Sequence, residues 1–240
     1  MGCVMRSNIE KLLGDNPYPG RGIMIGCSED GKRSVIVYFI MGRSENSRNR
    51  IFERTEDGIR TAAHDPAKMT DPSLIIYHPV RMSGALTIVT NGDQTETILN
   101  HLSRNSDFHS ALLTREFEPD APNYTPRISG LVNADGGYIL SIIKTMDGRP
   151  DGCQRCFYEY SSAIPGLGHF ISTYDTDGDP LPSFSGEPIP VSVNDSCGLE
   201  AFSFEVWNSL NYANKVSLYA QERDISTGEI NDLIINKHIR

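Results

Sequence analysis

Basic residues are scarce in this chain. Its 22 Lys and Arg stand against 31 Asp and Glu, for a net charge of −9 over 240 residues. That balance argues against non-specific nucleic-acid binding, which needs a basic face to displace condensed counterions. It leaves room for a small phosphate ligand, because a few local arginines suffice for one. Long apolar runs are missing as well: no stretch approaches the ~18 to 20 residues of a membrane span, so no membrane association is expected. Met1 to Asn8 hold one basic residue and no apolar run, and no secretory signal is expected. The five cysteines (Cys3, Cys27, Cys153, Cys156, Cys197) are odd in number and scattered. They exclude a disulfide scaffold and fit a reducing cytoplasm. Cys153 and Cys156 form a CxxC, but zinc would need a second ligand pair at similar spacing. A redox pair would need a helix N-terminus where Cys156 to Tyr160 reads as a strand. Structural thiols are the expectation.

What is there is enough for a sizeable core. Hydrophobic residues make up 38% and charged ones 22%, which excludes disordered and fibrous classes. The 21 Gly and 14 Pro point to many turns, hence many strands. Ile9 to Leu13 reads as a short helix and Gly22 to Gly26 as a strand. Asp30-Gly31 turns that strand into Val35 to Ile40, a hairpin whose second arm is apolar on both faces. Further strands are expected at Asn49 to Arg54, Leu74 to Tyr77, Leu86 to Thr90, Ile128 to Asn133, Tyr138 to Ile143, Cys156 to Tyr160 and His169 to Tyr174. Thr95 to Leu102 and Glu200 to Leu210 carry helical spacing. Helices between and after strand groups favour a layered α+β sandwich. No repeat or low-complexity tract divides the chain, so one domain over 1–240 is expected.

Four clusters stand out for chemistry. Gly42 to Arg50 concentrates Arg43, Arg48 and Arg50 with Ser44 and Ser47 at a strand end, which suits a phosphate dianion through forked guanidinium bonds; the plainer reading is a solvated basic loop. Thr90 to Thr95 runs from a strand into a helix, so Asn91 and Gln94 could read a carboxamide or hold an oxyanion, while Asp93 could simply cap the helix. Glu116 to Ile128 is stiffened by three prolines and places Glu118, Asn123, Thr125 and Arg127 at low entropic cost. In the fourth, Gly166 to Pro188, His169 at a strand start is an acid–base or substrate-binding candidate, with a structural role as its rival. Tyr77 and His78 end a strand before Pro79, an address that can face a cleft.

Taken together, GRSENSRNR, IIYHPV, VTNGDQT, EPDAPNYTPRISG and GHFISTYDTDGDPLPSFSGEP resemble the archaeal-type inosine monophosphate (IMP) cyclohydrolases and their bacterial relatives, over residues 17 to 206. The resemblance implies an N-terminal-nucleophile hydrolase fold: a four-layer αββα sandwich of two antiparallel sheets. It implies no processed nucleophile, no metal and no organic cofactor. Methionine removal here would expose Gly2, ahead of Cys3, which agrees. By motif context it implies Arg43, Tyr77 and Glu118 as catalytic, and Arg21, Asn91, Gln94, Asn123 and Arg127 as substrate contacts. Residues 1–16 form an N-terminal extension, and a helical tail after Glu200 matches only loosely. The implied activity is dehydrative ring closure of 5-formamidoimidazole-4-carboxamide ribonucleotide to IMP, in purine biosynthesis. Glu118 would move protons, Tyr77 and Arg43 would face the developing oxyanion, and Arg48 or Arg50 would hold the 5′-phosphate. The competing classes are a true N-terminal-nucleophile amidohydrolase exposing Cys3 or Cys27, and a nucleotide-binding module without catalysis. A homo-oligomer is compatible with the sequence.

Overall fold

The computed structural model describes residues 6–69 and 76–239. Helix α1 (Ile9–Gly14) precedes the hairpin of β1 (Arg21–Cys27) and β2 (Arg33–Met41). The single turn α2 (Glu45–Arg48) leads into a second hairpin, β3 (Arg50–Thr55) and β4 (Gly58–Ala63). After a 3-10 turn (Pro66–Lys68) come β5 (Val80–Ser83), β6 (Leu86–Thr90), α3 (Gln94–Ser103) and α4 (Phe108–Leu113). The meander β7 (Arg127–Val132), β8 (Tyr138–Met146) and β9 (Arg149–Tyr160) follows, then β10 (Leu167–Ser172) and β11 (Ile189–Ser192). Helix α5 (Leu199–Ser209) and the hairpin β12 (Lys215–Asp224) and β13 (Ile230–Asn236) complete the order.

The strands form two antiparallel sheets, β11-β10-β1-β2-β12-β13 and β3-β4-β5-β6-β7-β8-β9. Side chains in a strand alternate between faces, and β2 uses both. Val35, Val37 and Phe39 pack with Ile9 and Leu13 of α1 and with Phe202, Val206 and Trp207 of α5. Ile36, Tyr38 and Ile40 point the other way, into a layer shared with Phe52, Val89, Ile128 and Leu140 of the second sheet. Behind that sheet, Ile88, Leu131 and Ile143 pack with Ile98 of α3 and with Phe108 and Leu112 of α4. The sheets therefore face each other across a common apolar layer, with helices on each outer face. The expected α+β class with two antiparallel sheets holds. Residues 9 and 13 of the supposed extension lie in the core.

Most expected strands are found within a residue or two of their predicted ends. The predicted strand Leu74 to Tyr77 lies mostly outside the described residues, and Tyr77 itself is not in a strand. The helical tail expected after Glu200 is corrected: α5 stops at Ser209, and β12 and β13 follow. A bulge explains why β12 escapes a period-two reading. Lys215 pairs with Met41 and Ser217 with Ile40, so Val216 is an extra residue. It turns Val216 and Leu218 to opposite faces. The CxxC lies on β9, where residues three apart face opposite ways: Cys153 packs on the helix side and Cys156 between the sheets. No helix among the described residues is long and apolar enough to cross a membrane.

Across the layer, Gly130 of β7 lies under Ile25 of β1. A Cβ at Gly130 would stand 2.5 Å from Ile25 Cδ1 and 2.9 Å from Val89 Cγ1. Gly130→Ala should therefore overpack the shared layer and cost about 1–3 kcal/mol, read as a lower urea midpoint at unchanged slope. An unchanged midpoint would mean that the layer yields freely there.

Candidate active site

Buried polar groups gather where β1 begins, β2 ends and β7 begins. Gly20 has φ +77°, and a Cβ on it would stand 2.3 Å from Thr173 Oγ1 and 2.6 Å from the Tyr174 ring. Glycine alone lets the chain turn here with Tyr174 pressed against it. Thr173 Oγ1 then accepts from Arg21 N at 3.1 Å and donates to Pro19 O at 3.2 Å. Tyr18 stacks on Tyr174 with centroids 6.0 Å apart. This fixes where Arg21 enters the sheet.

Glu118 comes from the proline-stiffened loop. Its backbone N–H donates to Thr125 O at 2.9 Å, and the Asp120 carboxylate accepts from Thr125 N at 2.6 Å. The Glu118 side chain is only 3% exposed. Burial holds its carboxyl above the usual range, opposed by Arg21 and then Arg127. For Arg21, burial disfavours the charge, but the Glu118 carboxylate, with Tyr77, Tyr174 and Tyr18 around it, outweighs that and keeps it protonated. Arg21 Nε is buried with no hydrogen-bond partner among the described residues. Arg50, 1% exposed, donates from Nε to Ser47 O at 2.8 Å and from Nη2 to Met41 O at 3.2 Å. Burial and then the neighbouring Arg21 lower its pKa. Arg21 and Arg50 both face the Glu118 carboxylate, with Arg127 and Asp120 next to it. Tyr77 completes the group. Thr61 holds its backbone on both sides (Tyr77 N to Thr61 Oγ1 2.9 Å, Thr61 Oγ1 to Tyr77 O 3.1 Å), and its hydroxyl meets Tyr38 Oη at 2.9 Å.

The other sequence candidates are placed differently. Arg43, Arg48 and Arg50 do not converge, because the segment winds into α2 instead of looping around a ligand. Ser44 and Ser47 cap that turn reciprocally, so the Ser44 hydroxyl is engaged. Arg43 lies at the rim, 37% exposed, paired with Asp177 Oδ1 at 2.7 Å and over the Tyr18 ring at 5.2 Å. Arg48 is tied to Gly42 O at 2.9 Å and Asn214 Oδ1 at 3.0 Å. Asn91 and Gln94 are fully buried and bonded to the protein: Asn91 donates to Pro126 O and accepts from Ile128 N, and Gln94 donates to Asn91 Oδ1 and accepts from Arg127 Nη1 at 2.7 Å. Arg127 also donates to Glu116 O and pairs with Asp93, so Asp93 faces Arg127 and Arg115 and makes no side-chain cap. Gly92 makes room for this network, since a Cβ there would stand 2.6 Å from Arg127 Nη1 and 3.5 Å from Glu118 Oε1. Asn123 accepts from Leu181 N at 3.0 Å beside a surface groove of about 440 Å³. His169 pairs with Ile25, four residues along β1 from Arg21, and so sits towards the other end of the sandwich.

A family model described as "IMP cyclohydrolase-like protein" matches residues 18–228. The chain belongs to that family. Proteins named IMP cyclohydrolase resemble it at modest identity. That of Methanopyrus kandleri is 27% identical over 184 residues, 70% of this chain and 89% of the relative. That of Methanococcus aeolicus is 27% identical over 126 residues, 51% and 61%. That of Methanothrix thermoacetophila is 30% identical over 122 residues, 48% and 58%. The matched part thus spans about three fifths of the second and third relatives.

Among the described residues, no group of three or more His, Cys, Asp or Glu side chains is placed to hold a metal ion. Tyr38, Tyr174 and Asp120 stand beside this family member's buried cluster without having been singled out from sequence. Tyr38 sits in an apolar run and reads as core, and Asp120 was visible only as part of the proline-stiffened loop. His169 Nδ1 meets Tyr138 Oη at 2.6 Å, and its ring stacks on Tyr160 at 3.8 Å. Burial lowers its pKa from 6.5 to about 4. The unfolded chain therefore takes up this proton first as pH falls. His169 should contribute stability that is full above pH 6.5 and lost as pH drops through about 4. Proton NMR of the imidazole should give a midpoint near 4, and a midpoint at or above 6.5 would contradict this placement.

Proposed function

We propose that the chain catalyses the reaction for which its relatives are named, ring closure of 5-formamidoimidazole-4-carboxamide ribonucleotide to IMP. The observation that carries this reading is the convergence of Arg21, half-buried at the start of β1, with the buried carboxyl of Glu118 and the buried Tyr77. The carboxamide nitrogen attacks the formyl carbon and loses one of its two protons. The formamido nitrogen gives up its own proton, and the formyl oxygen leaves with both as water. An amide nitrogen is a weak nucleophile and a formamide a weak electrophile, so positioning and charge stabilisation carry the rate. Glu118 moves the protons, since its raised pKa brings it nearer to the working pH. Arg21 and Tyr77 face the oxygen that gains negative charge. Arg21 thereby takes the part that sequence context suggested for Arg43. Asn91, Gln94 and Arg127 act as the scaffold that holds the Glu118 loop.

The layering of helices and sheets supports an N-terminal-nucleophile hydrolase-like fold. The amidohydrolase rival fares worse for Cys27, which is buried at the far end of β1 with its thiol pKa pushed up by burial; Cys3 lies outside the described residues. A binding module without catalysis would take up IMP yet show no absorbance change on incubation with the formylated substrate.

Two tests follow. Glu118→Gln keeps shape and hydrogen bonding but not titration, so kcat should fall ~10²-fold or more with IMP affinity nearly unchanged. The wild-type rate should fall on the acid side of a midpoint above the ordinary carboxylate range, and that limb should vanish in the variant. A retained kcat with a raised KM would make Glu118 a binding residue. Separately, Arg43 at the rim is proposed to exchange Asp177 for the 5′-phosphate. Arg43→Ala should raise KM about tenfold or more, a charge-assisted bond being worth ~1.5–3 kcal/mol, while kcat holds. Arg48→Ala, whose guanidinium is already engaged, should leave KM within twofold; the reverse pattern would move the phosphate to Arg48.

A further inference from the structure

Tyr38 is a residue that the reaction scheme above leaves idle. It is fully buried on β2, its ring stacked on Phe52 at 5.7 Å, and its hydroxyl lies 2.9 Å from that of Tyr77. Either hydroxyl could donate in such a pair, but the surroundings decide. A buried hydroxyl needs an acceptor for its one proton. The charged groups beside Tyr38 are Arg21 and Arg50, and guanidiniums accept nothing. The side chains around its ring, Ile36, Ile40 and Phe52 among them, are apolar. Tyr77 is the one acceptor that Tyr38 meets among the described residues. If Tyr77 donated instead, the Tyr38 proton would be stranded in the shared apolar layer.

We infer that Tyr38 is a positioning residue that donates to Tyr77 Oη and so commits Tyr77 to present its own proton to the reacting oxygen. A hydrogen bond received at its oxygen also makes the Tyr77 proton a stronger donor, since chained hydrogen bonds polarise one another. The inference rests on the ring-closure reading for what Tyr77 faces. The direction of the Tyr38–Tyr77 bond itself rests on the proton inventory alone.

The test is a double-mutant cycle on the full chain with Tyr38→Phe, Tyr77→Phe and the pair. Phe keeps the ring and its stacking on Phe52, and thermal unfolding of each variant reports whether the fold is kept. Tyr38→Phe should lower kcat about tenfold, the worth of one well-placed hydrogen bond, and leave KM within twofold. In the Tyr77→Phe background the same change should have no further effect, because its route is through Tyr77; a merely structural Tyr38 would give equal losses in both backgrounds. A kcat that holds or rises in Tyr38→Phe would overturn the inference, since freeing the Tyr77 proton is what the opposite bond direction predicts. Absence of ring-closing turnover in the wild type would count against the activity alone. The cycle is then read by calorimetry on affinity for the formylated substrate, which keeps its formyl oxygen, where additive losses overturn the Tyr38 assignment and non-additive ones support it.

Discussion

A carboxyl and two guanidiniums meet among tyrosines at one end of the shared apolar layer, and much of the local architecture serves to make that tolerable. Burying one charge without a partner is prohibitive. Arg21 and Glu118 therefore answer each other, Arg50 is met by two backbone carbonyls, and Arg127 is satisfied by Glu116, Gln94 and Asp93. Glu118 is supplied from a loop and not from a strand, so its backbone has to be pinned separately. Asp120 and Thr125 do that from one side, and Gly92, by lacking a side chain, lets Arg127 and Gln94 do it from the other.

The arrangement also explains why hydroxyl groups cluster here. Tyrosines line a charged cavity with oxygen atoms while burying their rings in the surrounding core. Tyr18, Tyr38, Tyr77 and Tyr174 each offer one face to apolar neighbours and one atom to Arg21 or its surroundings. Tyr174 is bonded at 2.6 Å to Thr125 Oγ1, which in turn donates to Asp120. The threonine proton goes to the carboxylate, so the tyrosine proton goes to the threonine. Tyr174 thus shows Arg21 only its oxygen lone pairs.

Much of this was legible beforehand, and the failures have physical causes. Short apolar runs and an Asp-Gly turn revealed β1, β2 and β6 to β8, because these strands are buried on both faces and the turn needs special backbone angles. The start of β12 was hidden by a bulge that breaks the alternation, and β13 by being half-exposed along its length. The arginine cluster at 43–50 misled because linear proximity carries no direction: one helical turn sends three neighbouring guanidiniums to the rim, to Asn214 and into the core. Asn91 and Gln94 were found as polar residues at a strand–helix junction, but sequence cannot say whether an amide faces a ligand or its own backbone. Tyr77 was singled out at a strand end and Glu118 in a proline-stiffened loop, their catalytic roles came from resemblance in motif, and Tyr38 came from geometry alone.

The place of β12 bears on how the molecule is made. It lies between β2 and β13, while Asn236 bonds Phe52 of the opposite sheet through N–H and C=O and Arg54 pairs with Asp232. Until residues 215–236 leave the ribosome, the first hairpin has one unpaired edge, and β3 lacks its cover. Such an edge is a template for pairing with another chain. The strand that holds Tyr38 would thus stand as an open edge until β12 is made. Folding would be tied to a strand far downstream of β2, with slow, long-range closure as the result.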